Sequence, residues 1–191
     1  MSQSKAISRF PVPAFEELPQ DLQDTFLGFK EKLGFTPNFM KALAHRPEEL
    51  RGFLTYYNAL VAKESDTLTA AEKEMAIVAH SSYNGCSYCV QSHGAVLRVV
   101  TENPQIADQV AVNYHEADIT AREKAIIDFS MKLTTDSRKV DENDYKALEE
   151  HGLTREDIWD LAGVVGIFNF SNRMMNFLAV RPDDEFYSMG R

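Results

Sequence analysis

Three Thr-x-x-acid boxes punctuate this chain: Thr69-Ala-Ala-Glu72, Thr120-Ala-Arg-Glu123 and Thr154-Arg-Glu-Asp157. Each stands ahead of an apolar run with helical spacing. In such a box the threonine hydroxyl accepts from an orphan N–H of the first turn, and the acid reaches back to the cap residue and suits the positive helix end. After Thr120, Ile126, Phe129 and Leu133 fall at i, i+3 and i+7, one face of a helix. No proline occurs from Gln105 to Arg181, so long helices are permitted there. Earlier prolines fit helix starts: Pro19 for a helix through about Leu33, Pro47 for one through about Lys63, Pro104 for one through about Val112. A short helix is expected after Thr36-Pro37. No run of strict apolar–polar alternation suggests a strand, and Asn84-Gly85 leads into a cysteine rather than a strand. The expected class is all-α.

Both cysteines lie in Glu74-MAIVAHSSYNG-Cys86-Ser-Tyr-Cys89-Val-Gln-Ser-His93. The helix begun at Thr69 should run to about Tyr83. Gly85 can break it, and a second helix should start near Cys86. Cys86, Cys89 and His93 then fall at i, i+3 and i+7 along one face. Cys86 would stand in or before the first turn, where open N–H groups and the helix dipole favour a thiolate. Cys-x-x-Cys at a helix start is a redox geometry, in which one sulfur attacks and the other closes a disulfide. His93, one turn past Cys89, is placed to move protons. Glu74, on the preceding helix, reaches His93 if the two helices fold back antiparallel.

Each of these residues has a plainer reading. A lone buried cysteine is usually inert, and Glu74 alone is a solvated helix carboxylate beside Glu72 and Lys73. Zinc is the main rival for the pair. A structural zinc site wants four ligands, and only His93 is close in sequence, with His45, His80, His115 and His151 scattered. The haem-attachment pattern fails because Val90, not histidine, follows Cys89.

An echo runs through the chain. Leu68-Thr69 with Tyr83-Asn84 recurs, at constant offset, as Leu153-Thr154 with Phe168-Asn169. Remnant duplication of a helical hairpin and the general likeness of capping boxes explain this equally well. Ser171 and Met174 stand in the later copy where the first has its cysteines. Tyr83, Tyr88, Phe168 and Phe170 are candidates to wall an apolar pocket, although ordinary core packing is the plainer expectation for most of them.

The segment EKEMAIVAHSSYNGCSYCVQSHGAVLR resembles the core of AhpD-like alkylhydroperoxidases, within the carboxymuconolactone decarboxylase superfamily. The shared pattern is Glu, eleven residues, Cys-x-x-Cys, three residues, His. TAREKAIIDFSMKLT, FNFSNRMM and the Pro-Asp-Asp-Glu stretch near the end resemble its longer, peroxidase-related branch. The resemblance implies an all-helical AhpD-like bundle that forms homo-oligomers. It implies reduction of organic hydroperoxides by a dithiol that an external thiol or dithiol reductant restores. By that match Cys89 attacks peroxide, and Cys86, the more exposed, resolves it and meets the reductant. Glu74 and His93 form the proton relay. The branch with decarboxylase activity lacks the cysteine pair. One position departs: the best-known alkylhydroperoxidases have histidine just before the second cysteine, and here it is Tyr88. A phenol with an ordinary pKa of about 10 is no proton relay at neutral pH. A dithiol disulfide reductase or redox sensor is therefore the alternative, with a zinc-stabilised helical oligomer behind it.

The expected layout is an extended arm over 1–20, a single helical domain over 21–185 with a redox core at 69–100, and a tail over 186–191. No metal or organic cofactor is called for. Lys plus Arg is 20 against 29 Asp plus Glu, a net charge of −9, which argues against nucleic acid or a membrane surface as partner. No apolar run reaches the ~18 residues of a membrane span, and MSQSKAISRFPVP has no apolar stretch of a secretory signal, so a cytoplasmic location is expected.

Overall fold

The structure is a computed structural model describing residues 6–65 and 67–191. Among them are nine α-helices and no strand: α1 (Gln20–Leu33), α2 (Asn38–Leu43), α3 (Pro47–Leu60), α4 (Ala70–Tyr83), α5 (Ser87–Thr101), α6 (Ile106–Asn113), α7 (Ala121–Asp136), α8 (Glu142–Glu150) and α9 (Arg155–Leu178). The all-α expectation holds. The three threonine boxes close as read, each hydroxyl accepting from the N–H three residues on while the acid accepts from the threonine N–H. Such a cap is worth about 1 kcal/mol. Helix α3 stops at Leu60, three residues before the expected end. There the Lys73 ammonium, buried from α4, donates to the carbonyls of Leu60 (3.3 Å) and Lys63 (2.6 Å) and closes the helix end. Helix α8 has no counterpart in the sequence reading. It is capped by Asp141, whose side chain accepts from the Asn143 N–H, and of its residues only Leu148 is buried.

Helix α4 is the centre of the molecule. Every residue from Glu72 to Ser81 is buried, and α5, α6, α7 and α9 all pack on it. A helix covered on all sides loses its amphipathic stripe, which is why small and apolar residues run almost unbroken from Met75 to Ala79. The echoed copy does not form a second hairpin. Where α4 ends at Tyr83, α9 runs on as a single helix, so Ser171 and Met174 lie inside it rather than at a helix start. Phe170, the counterpart of Gly85, is helical, and nothing there turns the chain.

The N-terminal arm pairs with the C-terminal stretch: the Arg9 N–H donates to the Leu178 carbonyl and the Arg181 N–H to that of Ile7. Residues 1–5 of the expected arm lie outside the described residues. Beyond Arg181 the chain packs on α5. The buried Arg98 guanidinium donates to the carbonyls of Phe186 (2.7 Å) and Met189 (3.0 Å), and Phe186 is itself buried.

Candidate active site

The turn between α4 and α5 sets the site. Gly85 has a φ of +66°, a left-handed conformation that costs glycine little. It places the Cys86 N–H on the Ser81 carbonyl (2.9 Å) and its own N–H on that of Ser82 (2.9 Å). This paired arrangement is a Schellman stop, and it fills two of the carbonyls that α4 leaves open. The next residue is the N-cap of α5. Cys86 is extended there (φ −85°, ψ 90°) and its Sγ accepts from the Cys89 N–H at 3.2 Å. An open N–H aimed at sulfur favours the thiolate of a reduced Cys86. The two cysteines are joined as a disulfide, with their Cα atoms 5.4 Å apart.

Four residues on from Cys89, His93 points back at α4. Its Nδ1 lies 2.7 Å from Glu74 Oε2, and both side chains are largely buried. A carboxylate can only accept, so it holds the proton on Nδ1 and leaves Nε2 as the imidazole's basic face. Phe168 of α9 stands edge-on to the ring, centroids 4.5 Å apart and planes at 82°. The hairpin thus joins Glu74 to His93 and puts Cys89 on the histidine's own helix face.

Cys89 and His93 both border a cavity of about 120 Å3 whose walls are almost wholly apolar. Of the aromatics read as possible walls, Tyr88 and Phe168 line it. Tyr83 (62 % exposed) and Phe170 (54 %) are on the surface instead, because their helix positions face away from the bundle. Much of the remaining wall comes from distant parts of the chain, among them Phe39 of α2, Phe53 and Tyr57 of α3, and Phe186 and Met189 of the C-terminal stretch. No local signal marks these in the sequence, apart from the aromatic character of all but Met189.

The expectation that Cys86 is the more exposed sulfur is not met. Cys86 is 0 % and Cys89 2 % exposed. Cys86 belongs to the same apolar cluster as Met175, Leu178 and Val180 at the end of α9, and only Cys89 touches the cavity.

Tyr88 is a strut. Its hydroxyl donates to Asp183 Oδ2 (3.1 Å) and accepts from the Phe39 N–H (3.3 Å), while Asp183 also accepts from the Asn38 N–H. Burial, helped by the Asp183 charge, pushes the Tyr88 phenol well above its ordinary pKa. Burial likewise raises Asp183, against the pull of the Asn38 N–H. His80, fully buried in α4, has no hydrogen-bond partner on either ring nitrogen. Burial pushes its pKa down to about 4 in spite of the Ala76 carbonyl, and nearby His93 adds to the fall. His80 is therefore neutral at pH 7. The zinc alternative finds no ligand set: the sulfurs are tied to each other and His93 to Glu74. Among the described residues no three His, Cys, Asp or Glu side chains gather as a metal site.

An all-helical bundle carrying a disulfide at the turn of a buried helix hairpin, with Glu and His beside it, has the build of an AhpD-type protein. The carboxymuconolactone decarboxylase family matches residues 47–128, from α3 into α7. The crystal structure of an alkylhydroperoxidase AhpD core, an uncharacterised peroxidase-related protein of Ralstonia eutropha JMP134, is 48% identical. It superposes with a TM-score of 0.96 over 98% of each chain. An uncharacterised peroxidase-related protein of Silicibacter sp. TM1040 is 37% identical over 100% of each chain, with a TM-score of 0.92. The debrominase Bmp8, 18% identical over 96% of this chain and 95% of its own, has a TM-score of 0.75 and shares the fold. No curated protein matches the sequence significantly. The chain belongs to the AhpD-like, peroxidase-related group of the carboxymuconolactone decarboxylase family.

Proposed function

We propose that this protein is a thiol-dependent peroxidase for organic hydroperoxides. What carries the reading is one juxtaposition: Cys89 and His93 border the same apolar cavity, and Glu74 holds His93 by its far nitrogen. In the reduced protein His93 Nε2 takes the Cys89 thiol proton. The thiolate attacks the outer oxygen of ROOH; an S–O bond forms, the O–O bond breaks, and RO⁻ takes up a proton from the imidazolium to leave as ROH. Cys86, three residues back, then displaces hydroxide from the sulfenic acid. Water leaves and the Cys86–Cys89 disulfide forms. An external thiol or dithiol reductant supplies the two electrons that reopen it.

Burial ranks the oxidants. With Cys86 0 % and Cys89 2 % exposed, a folded protein disulfide has no surface to meet, whereas a small apolar peroxide has a cavity to enter. That favours a small peroxide over a protein disulfide as the oxidant, and it asks the same of the reductant: a thiol small enough to enter the cavity and reach Cys89. The reducing cytoplasm, where thiol carriers operate, suits the cycle. Homo-oligomer formation would cover the outward aromatic stripe of Trp159, Phe170 and Phe177 on α9, and sedimentation measures it. The chemistry is tested by thiol titration after one equivalent of cumene hydroperoxide is added to fully reduced protein. Loss of both thiols with release of the alcohol is expected; an unchanged count overturns the proposal.

A further inference from the structure

The peroxide reaction needs two things from the protein: a thiolate, and a donor for the oxygen that leaves. Glu74 and His93 account for the first. The second is less well served, since Tyr88, at the position where related enzymes have histidine, has its hydroxyl spent between Asp183 and the Phe39 N–H. A different hydroxyl lines the same cavity. Tyr57, on the last turn of α3, borders it together with Cys89 and His93. Its ring is set by Phe168, edge-on with centroids 6.2 Å apart, and by Phe53 at 6.1 Å. Phe168 also stands against His93, so one phenylalanine ring fixes both. Among the described residues the Tyr57 hydroxyl makes no hydrogen bond to the protein, unlike the hydroxyls of Tyr88 and Tyr114.

We propose that Tyr57 is a further catalytic residue, whose hydroxyl donates a hydrogen bond to the alkoxide oxygen as the O–O bond breaks. This rests on the peroxidase reading above. Cys89 sulfur loses two electrons and gains the outer oxygen; the inner oxygen, as RO⁻, accepts from Tyr57 and ends as ROH, its proton drawn from the His93 imidazolium. Tyr57 finishes the step as a neutral phenol. Burial, with Glu74 adding to it, pushes the phenol far above its ordinary pKa, so the O–H stays in place as a donor through the neutral range. A fixed donor aimed at a developing oxyanion in an apolar site typically changes a rate by ~10²–10³.

The test is Tyr57→Phe, which keeps the ring against Phe53 and Phe168 and removes only the oxygen. Fully reduced wild type and variant are mixed with cumene hydroperoxide and, separately, with perbenzoic acid, and the rate of Cys86–Cys89 closure is followed. A carboxylate leaves without needing a donor, whereas an alkoxide does not. The expected result is a loss on the order of a hundredfold with the hydroperoxide and a rate close to wild type with the peracid. Equal rates for variant and wild type with the hydroperoxide overturn the assignment. So does an equal loss with both oxidants, which marks a packing role. Wild type that is oxidised by neither removes the peroxidase reading itself, a failure distinct from these and fatal to the assignment as well.

Discussion

Thr69 and Thr154 cap α4 and α9 in the same manner. The Glu72 N–H donates to the first hydroxyl at 3.2 Å and the Asp157 N–H to the second at 3.1 Å. Fifteen residues after each threonine stands an asparagine, and the two meet: Asn84 Nδ2 donates to Asn169 Oδ1 at 3.1 Å. Beyond that contact the two stretches part. The first has Gly85 and turns, making a new helix start where Cys86 meets open N–H groups. The second has Phe170 and continues to Leu178. The proposed chemistry sits on the copy that breaks, because only a helix start offers unpaired donors to a sulfur, and only a hairpin folds Glu74 back onto His93. The unbroken copy supplies rigid support: Phe168 against the histidine, and Asn172, which donates to Ser81 Oγ at 2.9 Å.

The strongest way to break this contrast is at the paired positions Cys89 and Met174. Cys89→Ser should lower hydroperoxide consumption on the order of a thousandfold or more, as loss of a nucleophile does. Met174→Leu, its counterpart on α9, should turn over as the parent does. Equal damage from both would mean that the sulfur of Cys89 acts through packing. Next in size is the relay. His93→Ala should slow closure of the disulfide by ~10²–10⁴, the range for a lost acid–base group. Glu74→Gln should give a smaller loss, since an amide still accepts from Nδ1–H but no longer stabilises the imidazolium. Stopped-flow rates across pH separate the two, and unchanged rates in both variants would remove the relay.

The turn itself gives a smaller, thermodynamic test. A Cβ on Gly85 meets nothing within 4 Å, so Gly85→Ala isolates the cost of the left-handed backbone, roughly 1–2 kcal/mol. For a chain of this size that lowers Tm by ~2–8 °C. Phe170→Gly should cost about 1 kcal/mol relative to Phe170→Ala for the opposite reason, a flexible residue inside a continuous helix. Melting curves of the three variants check both halves. A neutral Gly85→Ala would show that the turn does not need its glycine.

Much of this architecture is legible in residue order, and the rest has identifiable reasons for being hidden. Capping boxes, proline placement and the Gly85 break are local, so α1 to α7 and α9 can be read from a few residues each. Helix α8 could not, because DENDYKALEE offers one buried leucine and a cap made by aspartate rather than threonine. Glu74, Cys86, Cys89 and His93 declare themselves by spacing, since a single hairpin unites them. Tyr57, Phe39 and Met189 reach the cavity from other elements, and only tertiary packing says so. The same holds for Tyr88, whose neighbours in sequence give no hint of Asp183. The burial of Cys86 depends on where the end of α9 comes to rest.

The gentlest comparison concerns the box of the unbroken copy. Burial would raise the Asp157 carboxyl, but hydrogen bonds from Thr154, Thr67 and Ser65 outweigh it and hold the pKa at about 2. The Ser65 and Thr67 contacts, at 3.0 and 2.6 Å, come from the loop leading into α4. One carboxylate therefore caps α9 and ties down the approach to the other copy. A carboxyl that is more acidic folded than unfolded adds stability that is complete above the unfolded value near 3.8. That stability is lost as pH falls through about 2. Asp157→Asn should be less stable at pH 7 and should also lose this part of the acid dependence. Its urea midpoint should fall less steeply than the parent's between pH 4 and pH 2. Parallel slopes for parent and variant would show that the loop and cap hydroxyls hold the carboxyl no more tightly than water does.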